Sequence, residues 1–375
     1  MRAVDFLEKL TSNEIKFFTG VPDSLLSQLS QCLEENPGYY QHYPSANEGL
    51  AVGLAAGYHL ATGEMPCVYM QNSGLGNAVN PLTSLADQEV YSIPILLVIG
   101  WRGEITENGQ LKDEPQHRKQ GKITPDLLDI LSIPYVVVGP EEDGDAIARL
   151  IAKGKAGRRP VALLVRKGAI SGATPKLQEN ESSLTREHAI ELIVEHLRRD
   201  VPIVATTGKA SRELYEIRQA KKQAPGRDFL TVGSMGHASQ IAAGIALVKA
   251  DHPVVCIDGD GSCFMHLGGL ATTAAFKNLR HIVLNNGVHD SVGGQPTCGS
   301  HLSLAGIANA CGYKSVFVVS SADELPQTLG EMMKGQGSAF LEIVVQPGAR
   351  PALGRPKESP VEAKKGFMEA LSVMR

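Results

Sequence analysis

The stretch PVVCIDGDGSC (253–263), followed by HIVLNNGVH (281–289), decides the fold. VVCI and HIVL are short apolar runs closed by Asp, Gly and Asn, too brief for buried helices, so each reads as a strand covered on both faces. Such strands belong to parallel sheets wrapped by helices. Ligands collect at the carboxyl edge of these sheets, and both DGDGS and NNGVH emerge there. Asp260 and Asn286, 26 positions apart, are placed to converge on one ion. A carboxylate, an amide oxygen and the carbonyl of Val288 form a hard-oxygen set suited to Mg²⁺, with positions left for phosphate oxygens and water. Gly259 and Gly261 let the backbone approach a ligand closely, while Ser262 and the helix start offer donors to a diphosphate. The competing reading is a tight turn at DGDG and a helix cap at NN.

The same alternation extends in both directions. VPIVATTG (201–208) and SAFLEIVV (338–345) continue it in the second half, and VYM (68–70), ILLVIG (95–100), YVVVG (135–139) and VALLVRKG (161–168) set it up in the first. Gly57 and Gly244, Pro66 and Pro253, Gly74 and Gly261, Leu97 and Leu284, and Gly100 and Gly287 all differ by 187, an offset that needs no gap. Two copies of one α/β domain are predicted, each a parallel sheet flanked by helices. Residues 1–171 form the first and 186–375 the second, joined by the polar segment 172–185. The offset sets Glu48-Gly49 opposite Met235-Gly236 and Gln71–Gly74 opposite Asp258–Gly261, so corresponding loops carry different chemistry.

Composition narrows the class. At 375 residues, 43% hydrophobic and 20% charged with a formal net charge of -4, the chain has no basic surplus for nucleic acid. MRAVDFLEKL reads as an amphipathic helix and not a signal peptide, and no apolar run reaches the ~20 residues of a membrane span. The six cysteines form no CxxC pair and read as reduced, buried thiols, which predicts a cytoplasmic protein without a disulfide or zinc framework. His59, His188, His196, His252 and His281 join no metal-like spacing and read as structural or solvent-facing.

GDG followed at this interval by NN resembles the motif of thiamine-diphosphate enzymes. More specifically, GVPDSLL (20–26), SANEG (45–49), QNSGLGNAVNPLTSL (71–85), DEPQH (113–117), GSMGHAS (233–239), LNNGVHDSVGGQPT (284–297), LGRP (353–356) and FMEAL (367–371) look like the phosphonopyruvate decarboxylase family over essentially the whole chain. The extra central domain of larger relatives is missing. The resemblance implies a pyrimidine-binding first domain, a diphosphate- and Mg²⁺-binding second domain, and decarboxylation of 3-phosphonopyruvate to phosphonoacetaldehyde and CO₂. Sulfopyruvate decarboxylase is the nearest rival; the single-chain format is read as favouring the phosphonate enzyme, because the sulfonate enzyme is commonly split into two subunits.

Residue by residue, the resemblance makes Glu48 the carboxylate that activates the cofactor's aminopyrimidine, and a carboxylate opening so apolar a helix should have a raised pKa. It places Gln71 and Ser73 on the pyrimidine side, Thr207, Gly208, Gly233 and Ser234 against the cofactor, and Met235 beneath it. Asp23 and His117 become proton carriers or orienters, with Ser24, Gln116, His289, Asp290 and Ser291 nearby as substrate-side candidates. Lys209, Arg212, Arg350 and Arg355 are possible partners for a phosphonate. A homo-oligomer with sites between subunits is implied, and a nicotinamide dehydrogenase is not, since no GxGxxG follows a strand.

Overall fold

A computed structural model describes residues 1–140, 144–172, 180, 182–223 and 225–374. The chain divides into two compact units, Met1–Lys176 and Leu177–Arg375. Of the segment predicted to link the halves, residues 173–179 and 181 lie outside the described residues. Its end is not free chain: Ser182 Oγ donates to the Val344 carbonyl at 3.0 Å, and Leu184 is buried in the second unit's core.

The first unit holds six parallel strands, β1 (Phe17–Gly20), β2 (Gln41–Pro44), β3 (Cys67–Gln71), β4 (Leu96–Gly100), β5 (Tyr135–Val138) and β6 (Val161–Val165), in the order β2-β1-β3-β4-β6-β5. The second holds β7 (Ile203–Ala205), β8 (Asp228–Leu230), β9 (Val254–Gly259), β10 (Leu279–Asn285), β11 (Ser315–Val319) and β12 (Ala339–Val344), in the order β8-β7-β9-β10-β12-β11. The two sequences of neighbours are the same, which is the duplication seen as topology.

The central strands read as unbroken apolar runs because both their faces are covered. In β3 and β4, Tyr69, Leu96 and Val98 face one core while Val68, Met70, Leu97 and Ile99 face the other. In β9, Val255 and Ile257 face one core, Val254 and Cys256 its opposite. Each fully buried aliphatic side chain contributes about 1.5–3 kcal/mol.

The offset of 187 does not run ungapped through both copies. In the ladders Cys67 pairs with Leu96, 29 positions on, whereas its counterpart Val254 pairs with Leu279, only 25 positions on. The second copy is therefore shorter by four residues between Gly261 and β10, and Leu97 corresponds to Arg280, not Leu284. Strands β1, β2, β8 and β11 were not visible in the sequence. FFTG and DFL are only four and three residues long, QHYP is a polar sheet edge, and SVFVV, at the opposite edge of the second sheet from DFL, carries a run, VFVV, that the sequence reading missed.

Among the described residues no helix is long and apolar enough to cross a membrane. All six cysteines are free thiols, but only Cys67, Cys256 and Cys263 are buried; Cys32, Cys298 and Cys311 are half-buried, contrary to the expectation for all six.

Candidate active site

Glu48 is the first residue of the helix Glu48–Thr62, which begins after β2 and is capped by the Asn47 side chain accepting from the Gly49 and Leu50 amides. The cap leaves Glu48 facing inward, 5% exposed. Asn77 Nδ2 donates to its Oε2 at 2.7 Å. Burial raises the carboxylate's pKa, and the Asn77 hydrogen bond only partly opposes that. Gly74 makes room for it: a Cβ there would lie 2.6 Å from Glu48 Cγ and Cδ.

Gln71 and Ser73, at the end of β3, bond one another at 2.6 Å. Between them Asn72 is buried and fastens the loop after β3 to the loop after β4, donating to the Arg102 carbonyl and Thr124 Oγ1 at 3.0 Å each and accepting from the Arg102 amide.

Asp23 follows β1 and is fully buried, its carboxyl pushed up to about 6 by burial despite the Leu25 amide and nearby Arg102. Leu25 N donates to Oδ2 at 3.1 Å while Oδ1 has no partner. Gly100, ending β4, abuts it, since a Cβ would fall 3.0 Å from Asp23 Cγ and nearer still to Oδ2. Arg102 is the charged group the sequence reading missed. Its Nε and Nη2 donate to the two carboxylate oxygens of Asp113, at 2.9 and 2.6 Å, and its Nη1 to Ser24 Oγ at 3.2 Å. Against burial, Arg102 holds the Asp113 carboxyl well below the usual carboxylate range. His117 and Gln116 are half-buried on the helix Pro115–Ile130 that follows Asp113, close enough for His117 to act on Asp113's charge. A signal for Arg102 existed: WRG directly follows the strand ILLVIG, at the carboxyl edge where Asp23, Glu48 and Gln71 also stand.

In the second unit four neighbouring strands, β8, β7, β9 and β10, bring their carboxyl ends together. Thr207 and Gly208 follow β7, with Gly208 at φ 100° and a Cβ there 2.8 Å from Ser291 Oγ. Gly233, Ser234 and Met235 follow β8; Ser234 and Gly236 both take left-handed backbone, and Met235 is half-buried, not core filler. Ser262 Oγ bonds Thr206 Oγ1 at 2.8 Å and accepts from the Gly236 amide at 2.9 Å, so this hydroxyl ties three loops together.

Asp260, 3% exposed, opens the helix Asp260–Met265 and accepts from Thr297 Oγ1. Burial pushes its carboxyl up to about 7, and no cationic side chain among the described residues pairs with it. A buried carboxylate without a cation is a costly arrangement that a metal ion would relieve. A Cβ at neighbouring Gly259 would meet only open space. Asn285 is fully used by the protein, donating to Gly299 O and Glu342 Oε1 and accepting from the Gly287 amide. Asn286 donates to Asp290 Oδ2 at 2.8 Å, and its Oδ1 accepts one bond, from Val288 N at 3.1 Å. The Val288 carbonyl accepts from the Asp290 amide at 3.1 Å. The residues present thus fit a divalent cation bound by oxygen.

Among the remaining candidates, the His289 ring lies against Gly261, where a Cβ would be 2.8 Å from Cε1, and desolvation lowers its pKa to about 4. Asp290 is held by Arg186, and Ser291 is exposed. Of the four cations, Arg350 is paired with Glu187 and Glu216, Arg355 is exposed and Arg212 half-buried, while Lys209 is half-buried with its pKa lowered by desolvation. His281 does not stand apart from potential ligands: it pairs in the ladder with Cys256, and Cys256, Asp258 and His281 bring ligand atoms within 4.8 Å of one another. Their distance in sequence hid this.

Two family models match the chain: the N-terminal thiamine pyrophosphate binding domain of thiamine pyrophosphate enzymes over residues 3–129, and the C-terminal one over 207–343. The chain belongs to the thiamine-pyrophosphate-dependent decarboxylase family. Within it, the phosphonopyruvate decarboxylase of Streptomyces viridochromogenes is 36% identical, with 97% of this chain and 94% of that protein aligned. That of Streptomyces hygroscopicus is 35% identical over 98% and 93%. The sulfopyruvate decarboxylase of Methanosarcina acetivorans is 28% identical over 98% and 97%. That last enzyme aligns along a single chain, so the fused format does not separate phosphonate from sulfonate enzymes as expected.

Proposed function

We propose that this chain decarboxylates 3-phosphonopyruvate to phosphonoacetaldehyde and CO₂, with thiamine diphosphate and Mg²⁺, as a step of phosphonate biosynthesis. The observation that carries the substrate assignment is the end-to-end likeness to two phosphonopyruvate decarboxylases.

Residues 1–171 are the pyrimidine-binding domain and 186–375 the diphosphate- and metal-binding domain. Asp260, Asn286 through Oδ1 and the Val288 carbonyl would hold Mg²⁺. Thr207, Gly208, Gly233, Ser234, Met235, Gly259, Gly261 and Ser262 line the cofactor's diphosphate and thiazolium end, and Gln71 and Ser73 its pyrimidine side. When bound, thiamine diphosphate supplies a nucleophilic thiazolium carbon and the electron sink that decarboxylation needs.

The chain's own residues manage protons and charge. Glu48, kept in low dielectric, would hold a proton at its carboxylate and would be the group that hydrogen-bonds the aminopyrimidine. Asp23, with a pKa near working pH, and His117 serve as proton donor and acceptor beside the reacting carbon. Arg102, steered by Asp113 and Ser24, orients the anionic substrate. Ser24 and Gln116 in the first unit, and His289, Asp290 and Ser291 in the second, are further substrate-side candidates.

A homo-oligomer is supported by the helix Glu48–Thr62, which exposes Leu50 (64%), Leu54 (47%) and Leu60 (73%). Free thiols accord with a cytoplasmic setting. The test follows aldehyde formation from phosphonopyruvate, sulfopyruvate and pyruvate in parallel, with Glu48→Gln as control. Turnover of phosphonopyruvate in preference to the others, reduced at least 100-fold in the variant, is expected. Preference for sulfopyruvate, which the Methanosarcina alignment keeps in view, would replace the substrate and leave the chemistry.

A further inference from the structure

Asp290 lies four residues beyond Asn286, and both its carboxylate oxygens are engaged. Oδ2 accepts from Asn286 Nδ2 at 2.8 Å and from Arg186 Nη1; Oδ1 accepts from the Gly348 amide at 2.9 Å. Arg186 opens the helix Arg186–His196 and is itself locked, donating to Glu213 Oε2 and Oε1 at 2.7 and 2.8 Å and to the Gly348 carbonyl at 3.0 Å. The side chains of Arg186, Glu213 and Asp290 are 7%, 1% and 5% exposed. A network this dry and this fully bonded does not exchange protons with a substrate cheaply.

It does settle a question that Asn286 cannot settle alone. A side-chain amide has an oxygen and a nitrogen of nearly equal shape, and only its partners decide which way each faces. A cation can be ligated by Oδ1 and is repelled by the NH₂. The Asp290 carboxylate oxygens accept from Arg186 Nη1 and the Gly348 amide and present only an acceptor to Asn286, so the Asn286 NH₂ is the end that turns toward it. Oδ1 is thereby left on the other side with one bond, from Val288 N, and a lone pair unspent.

We propose that Asp290 is a positioning residue, held by Arg186 and Glu213, that fixes the Asn286 amide with its oxygen toward the metal. The proposal rests on the Mg²⁺ site described under the proposed function, and it moves Asp290 from the substrate's border to the support of the cation.

The experiment is a double-mutant cycle on Mg²⁺ affinity, titrating the full-length apoprotein calorimetrically with Mg²⁺ at saturating thiamine diphosphate. Asp290→Ala leaves Arg186 still paired with Glu213, so no charge is stranded. In the Asn286 background it should weaken Mg²⁺ binding about 10–100-fold, the usual cost of losing a group that orients a ligand. In the Asn286→Asp background the same substitution should cost less than about threefold, because a carboxylate presents oxygen from either face. Equal losses in both backgrounds would mean that Asp290 acts by charge or by direct ligation, and would overturn the proposal; so would unchanged affinity in Asp290→Ala alone. If the alanine variant does not fold, Asp290→Leu, which removes both acceptor oxygens at similar volume, takes its place in the cycle with the same criteria. A wild-type protein that binds no Mg²⁺ with thiamine diphosphate would instead remove the metal site itself, and the proposal with it.

Discussion

Glu48 and Gly74 share one space: the carboxylate fills the volume that any side chain at position 74 would need, its Cγ and Cδ 2.6 Å from where a Cβ would stand. The relationship is steric and one-sided, because Glu48 is also held from behind by Asn77. Gly74→Ala should therefore displace the carboxylate by a fraction of an ångström to an ångström. Misplacement of that size costs on the order of 100-fold in turnover. Steady-state assays together with circular dichroism, which should show an unchanged fold, check this.

Asp23 makes stability depend on pH. Its folded pKa, about 6, lies above the ordinary value of 3.8, so the folded state holds a proton that the unfolded chain gives up. Stability is then lost as pH rises from about 4 to about 6, and the deficit persists above that. At ~1.4 kcal/mol per unit it is on the order of 3 kcal/mol. Asp23→Asn should raise the denaturation midpoint at pH 7.5 and leave it nearly unchanged at pH 4. A stabilisation equal at both pH values would show that ionisation is not its source.

Arg102→Lys retains the charge and loses the fork that meets both oxygens of Asp113 and still reaches Ser24. If Arg102 orients the substrate, KM for phosphonopyruvate should rise about tenfold with kcat within about threefold, equivalent to roughly 1.4 kcal/mol of binding. A loss confined to kcat would assign Arg102 to the chemical step.

Leu50 and Leu54 lie on one side of the helix Glu48–Thr62, and neither Gly53 nor Gly57 would find an atom within 4 Å of an added Cβ. Leu54→Glu places a charge on that face. Sedimentation velocity should show a smaller species than the wild type, and a variant that sediments like the wild type would locate the interface elsewhere.

Much of this was legible in the sequence, for identifiable reasons. The central strands show because they are covered on both faces and so cannot alternate; of the edge strands YVVV of β5 shows, whereas QHYP of β2 is polar and DFL of β8 is three residues opened by a charge. Asp260 and Asn286 stand out as candidates because each follows a strand beside glycine, and Glu48 because it opens an otherwise apolar helix. Arg102 was passed over because its one mark, a place directly after the strand ILLVIG, is shared by arginines that end up as surface charges. The Cys256–His281 neighbourhood is invisible for a different cause: it exists across two strands. The four-residue slip between the copies was hidden by chance identities at Leu284 and Gly287, which a ladder distinguishes and a subtraction does not.

All six strands of each sheet come from one uninterrupted stretch of chain, with no strand exchanged across the boundary near residue 176. Neither sheet therefore requires the peptide bonds between them in order to form. What those bonds do provide is stoichiometry: a ribosome that completes the chain makes both halves, so the loop of Glu48 and the loops of Asp260 and Asn286 are produced in equal dose. A gene cut at that boundary would divide no strand or helix among the described residues, but it would need to balance two translation rates to reach what one reading frame delivers by counting.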